Sequence, residues 1–102
     1  MNINITSGIQ IGGFLYPVKM DTGNNKALRA VARVAECDNL NHCIGIDTDQ
    51  SPESISENFL HEAIEAINHI YCHDELTHDK ITQLGYGLHQ VMESLGVKFG
   101  RN

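Results

Sequence analysis

Residues Ser51 to Leu95 read SPESISENFLHEAIEAINHIYCHDELTHDKITQLGYGLHQVMESL, and the spacing of their apolar positions decides the fold. Ser51-Pro52-Glu53 combines a capping hydroxyl, a proline for the first helical position and an early acid, which is a helix start. Ile55, Phe59, Ala63, Ala66, Ile67 and Ile70 then fall on one side of a helix running to about Cys72. Leu60, Ile64 and Tyr71 widen that arc, so the helix is expected to be covered on more than one side. Thr77 caps a second helix whose narrow stripe is Ile81, Leu84, Leu88, Val91, Met92 and Leu95, with Gly96 as its stop. Because the connection His73 to Glu75 is short, the spacing predicts an antiparallel helix pair over 51–96.

The preceding half differs in kind. It is rich in β-branched residues and glycine, and Gly12-Gly13 reads as a turn. Phe14, Tyr16, Val18 and Met20 alternate as a half-buried strand does, and Pro17, which cannot donate to a ladder, places that strand at an edge. Residues 21–29 (DTGNNKALR) read as a loop. Two further short strands are expected near Ala32 to Glu36 and Cys43 to Asp47, joined by Asp38-Asn39 and Asn41. Lys98, Gly100, Arg101 and Asn102 are expected to fray. The expectation is therefore one α+β domain over 1–102, with a small antiparallel sheet of three or four short strands in 1–50 followed by the helix pair.

The chain's 102 residues, 41% apolar and 20% charged, suit one ordinary globular domain. No apolar run reaches the roughly 18 residues of a membrane span, and the N-terminus lacks the basic start and small-residue pattern of a signal peptide. Three cysteines are an odd number for a disulfide framework, so free thiols in a cytoplasmic setting are expected. The net charge is −6, and between Val34 and Asp79 there are eleven acidic residues and no Lys or Arg. Such a segment has no cations to exchange for the counterions of a phosphate backbone or an anionic bilayer, which argues against nucleic acid and membrane as partners. The same field attracts a divalent cation.

The chemistry lies in His61-Glu62-Ala63-Ile64-Glu65. Helix positions i and i+4 project from one face about 6 Å apart, so His61 and Glu65 can hold one ion. In the HExxH arrangement two histidines do this and the glutamate between them activates a water. Here Glu65 replaces the second histidine, and a carboxylate is an acceptable zinc ligand. Zinc sites with two histidines and one carboxylate then ask for one more histidine. His78 opens the second helix. His89 shares nearly the same face three turns on, beside the middle of the first helix, and geometry alone leaves both open. The plain reading of the same string is a solvated helix face, with Glu62 and Glu65 in water and His61 at a core edge.

The stretch Phe59 to Val91, with Ala35 to Asp47 before it, resembles a family of small bacterial and phage proteins described as zinc metallopeptidases of minimal gluzincin type. These carry a pattern close to LLHExxHAI and a downstream LYQVL, and a form with glutamate for the second histidine also occurs. The resemblance covers Ala35 to Leu95. It implies a small antiparallel sheet on a helix pair, with zinc on His61, Glu65 and His78 and with Glu62 as general base. It favours His78 over His89, because the matching family position carries an acid or a histidine. Where the family pattern has a tyrosine before Gln-Val, this chain has His89, a departure that bears on catalysis.

Two function classes follow. One is a zinc-dependent hydrolase acting on a peptide or protein. The other is a non-catalytic accessory or binding protein that keeps the peptidase-like helix pair with a structural metal or none. Among the remaining residues, Gly85 and Gly87 each cost a helix about 1 kcal/mol relative to alanine, which close approach to the first helix or a kink would explain. Tyr86 reads as a rim residue. Cys37, His42, Cys43, Cys72 and His73 match no common zinc-finger spacing.

Overall fold

A computed structural model describes residues 1–101. Over these the order is β1 (Asn2–Asn4), β2 (Ile9–Ile11), β3 (Phe14–Tyr16), β4 (Val18–Lys19), α1 (Thr22–Ala30), β5 (Ala35–Asp38), β6 (Cys43–Ile46), α2 (Pro52–Tyr71), α3 (His78–Ser94) and β7 (Lys98–Gly100). The class is α+β. None of the helices is long and apolar enough to cross a membrane.

The sheet is not one antiparallel unit. It divides into three small pieces: β1 beside β7 in parallel, β2 with β3 as an antiparallel hairpin, and a mixed sheet ordered β4-β6-β5. Within the mixed sheet β4 runs parallel to β6 and β5 antiparallel to it. Pro17 causes the first break, splitting the expected 14–20 strand between β3 and β4, so that β4 becomes the edge of the mixed sheet. Gly12 takes φ +60° in the two-residue hairpin turn, where a side chain would be strained. β6 is the middle strand, and Ile44 and Ile46 on it are fully buried. They meet Tyr16, Val18 and Met20 and the α2 side chains Phe59, Leu60 and Ala66 in one core.

Residues 21–29 form a helix, not a loop. Asp21 caps it, accepting from the Asn24 N–H at 2.8 Å. Asn24, Asn25 and Gly23 are weak helix formers, and α1 is held from outside itself. The Asn24 amide donates to the carbonyls of Lys19 and Ile46, and the Asn25 side chain bonds Thr48 through both its donor and its acceptor. Arg29 makes a two-pronged bond to buried Asp47 and reaches Asp49. Gly45 permits this contact, since a Cβ there would lie 2.5 Å from the Asn24 side-chain oxygen.

The tail also departs from expectation. Lys98–Gly100 pairs with β1, and the Arg101 guanidinium donates to the Met20 carbonyl at 3.0 Å; Asn102 lies outside the described residues. The strand expected at 32–36 begins later, because Ala32 turns through φ +57°. Both long helices start where their caps predict, with Ser51 accepting from Ser54 and Thr77 from Lys80. The α3 stripe divides. Ile81 and Gly85 are buried and Met92 is half-buried against the core, while Leu84, Leu88, Val91 and Leu95 stay open.

Candidate metal centre

α2 and α3 come together where α3 lacks a side chain. A Cβ on Gly85 would meet the His61 backbone and Cβ at 3.6–3.8 Å, so the helices lie close on this line. The turn between them is fixed by Asn68, a buried side chain whose oxygen accepts from the Leu76 N–H at 2.9 Å while its amide donates to the Leu76 carbonyl at 3.3 Å. His73 and Asp74 take φ +52° and +58°, and the doubled-back loop sets Thr77 as the next cap.

That geometry brings His61, Glu65 and His78 together. One ligand atom from each lies within 4.8 Å of the others, and the two imidazole rings meet edge to face at 5.3 Å between centroids. Bonds from zinc to nitrogen and oxygen run about 2.0–2.2 Å, so three atoms this close to one another could share one ion once drawn somewhat nearer. The donor set fits zinc: two imidazoles and one carboxylate leave a fourth position free. Burial, followed by the neighbouring His78, pushes the His61 pKa down against the opposing pull of Glu65. The imidazole is therefore neutral near pH 7, the form that ligates.

Glu62 follows His61 by one residue and turns toward the mixed sheet. It is 9% exposed, and burial, reinforced by Glu65, pushes its carboxyl up to about 7. Cys37 of β5 faces the same acids. Burial and then Glu62 and Glu65 push its thiol up to about 12, so it stands as a neutral wall and not as a thiolate. These residues line one groove of about 630 Å³, closed on the far side by Thr82, Gly85 and Tyr86 of α3 and reached at its mouth by Arg33 and Glu57.

β5 gives this groove a strand edge. It is the outer strand of the β4-β6-β5 sheet, and the Val34 carbonyl accepts from the Asp47 N–H at 2.9 Å. Bonded pairs alternate along an antiparallel ladder. Glu36 and Asp38 therefore bond to β6, and the N–H and C=O of Ala35 and Cys37 point to the open edge.

His89 is not part of the group. Its Nε2 lies 2.9 Å from Glu93, and its other ring nitrogen is buried without a partner. Nor do Cys37, His42, Cys43, Cys72 and His73 gather: His61, Glu65 and His78 form the single cluster of metal-ligating type among the described residues, and His42 stacks on Phe14 at 4.0 Å. Sequence reasoning missed Asn68 as the clasp of the turn, and β5 as the groove wall. In the sequence Asn68 falls on the His61 and Glu65 face of α2, and nothing local named Leu76 as its partner. Comparisons with protein-family models, with curated proteins and with solved structures give no match to this chain.

Proposed function

We propose that the protein is a zinc-binding hydrolase of peptide bonds, with His61, Glu65 and His78 as ligands and Glu62 as general base. The observation that carries this reading is the meeting of the three ligand side chains from two helices, with a carboxylic acid beside them on the groove floor. A zinc ion held by His61, Glu65 and His78 would supply the Lewis acidity that readies a water for attack. Glu62 takes the proton of that water and passes it to the departing amine. The open edge of β5 supports a peptide substrate, because an extended chain can bond to the Ala35 and Cys37 backbone and lie along the groove. Three free cysteines support a reducing, cytoplasmic setting.

His89 favours a second reading. The resemblance puts a tyrosine at its position, and here the ring is turned to Glu93, outside the metal group. A protein that keeps the helix pair and the ion but performs no hydrolysis fits that departure.

Elemental analysis of untagged protein, purified without chelator, tests the metal. The expected result is about one zinc per chain, lost in His61→Ala and in His78→Ala and kept in His89→Ala. Absence of metal after zinc is added back removes the proposal. A peptide library then separates the readings: turnover lost in Glu62→Gln with zinc retained identifies the hydrolase, and no turnover in the zinc-loaded wild type identifies the binding protein.

A further inference from the structure

Apart from Tyr86, which lines the groove, six large apolar side chains of the helix pair stay outside the core. Ile67 and Tyr71 of α2, with Leu84, Leu88 and Val91 of α3 and its C-cap Leu95, are between 37% and 70% exposed. The α3 members follow one another at intervals of four, three and four, so they share one face. Each residue turns a helix by about 100°. Leu84 follows the groove residue Thr82 by two positions, and Ile67 follows Glu65 by two, so both point to the flank opposite the groove. On α3 the solvent-side neighbours of the stripe are Lys80 at one end and then Gly87 and Ser94, and the last two are too small to hold another helix away.

We propose that this face is covered by a second copy of the chain. The two α3 helices pack antiparallel about a two-fold axis passing between Leu88 and Val91. The spacing four-three-four is that of a two-helix seam. It also reads the same in both directions, so an antiparallel copy presents a matching row, with Leu84 opposite Leu95 and Leu88 opposite Val91. A two-fold interface requires this kind of self-complementarity.

Area and charge agree with that occupant. Six large side chains left about half open amount to roughly 600 Å² per copy, so two copies bury up to about 1,200 Å² if all of it is covered, which reaches the lower bound of specific interfaces. Each chain carries a net charge of −6 and would repel its copy over most of its surface. The stripe itself holds no charged residue, and the acidic groove faces the other way. The pairing leaves the groove open and does not depend on what the groove does.

The test is sedimentation of the untagged full chain between about 1 and 200 μM, with Leu88→Glu and Leu95→Lys alongside. The wild type is expected to move from 11.3 kDa toward twice that mass as concentration rises. Each variant should raise the dimer dissociation constant at least 100-fold while keeping its helical circular dichroism. Leu95 is 70% exposed, so Leu95→Lys stays informative if Leu88→Glu fails to fold. A wild type that remains monomeric at 200 μM overturns the proposal and leaves the face to a different protein. A dimer that persists in both variants overturns it as well, by placing the contact elsewhere.

Discussion

Gly85 lies against His61 at the distance of ordinary van der Waals contact: a Cβ on Gly85 would stand 3.6 Å from the His61 Cα. The helix carrying two of the metal-type ligands and the helix carrying the third are thus spaced by the absence of one side chain. There is room for a methyl group and for little more.

Gly85→Ala is therefore expected to keep the site and to gain helix propensity, raising stability by up to about 1 kcal/mol. Gly85→Leu should push the helices apart and weaken zinc binding at least tenfold. Gly87 faces open space, and Gly87→Ala should stabilise by about 1 kcal/mol without touching affinity. Urea midpoints and zinc titrations of the three variants check this; a Gly85→Leu protein with unchanged affinity would show that helix spacing does not control the site.

Asn68→Leu should cost about 2–3 kcal/mol, because the Leu76 N–H and C=O both lose their partner inside the turn. Zinc affinity should fall too, although His61, Glu65 and His78 are all present, since the turn places His78. Chemical denaturation and calorimetric zinc titration measure the two effects. Loss of stability without loss of affinity would confine Asn68 to a packing role.

Gly45→Ala should destabilise by roughly 1–3 kcal/mol, as the new Cβ would fall 2.5 Å from the Asn24 oxygen. Asn24→Ala removes the clash along with its own bonds. The two changes together should cost less than the sum of the separate costs, and a double-mutant cycle by denaturation reads the coupling.

Asp47 predicts the acid limb of the stability curve. The Arg29 hydrogen bond, and next the Asp49 backbone N–H, hold its carboxyl below the ordinary value in the folded chain. The unfolded chain thus binds that proton more tightly. The stabilisation is complete above the unfolded pKa and is lost as pH falls from about 5 through the folded value. Asp47→Asn should lower stability at pH 7 and flatten the slope below pH 5; an unchanged slope would assign the acid sensitivity to other carboxylates.

Both long helices were legible in the sequence because their signals are local. Ser51-Pro52 and Thr77 are caps, Gly96 is a stop with φ +77°, and the apolar period runs through α2. What was not legible depends on distant partners. α1 has one buried apolar residue, Leu28, and is held by amide bonds to strands far away in sequence. β7 exists because β1 lies beside it. The stripe of α3 was periodic but did not reveal that one part of it is buried in the core and another part is left partly open. His61 and Glu65 could be paired by helical spacing alone. His78 could not, since its reach depends on the Asn68 clasp and on Gly85.

The pairing of β1 with β7 has a consequence for biosynthesis. Asn2 is in register with Lys98 and Asn4 with Gly100, so β1 waits for a partner strand made much later. At ribosomal rates of about 5–20 residues per second, that wait is roughly 5–20 s. During it the Asn2–Asn4 backbone and the neighbouring Ile3 and Ile5 are unpaired on a nascent chain, a window in which a chaperone or a neighbouring polysome product can reach them.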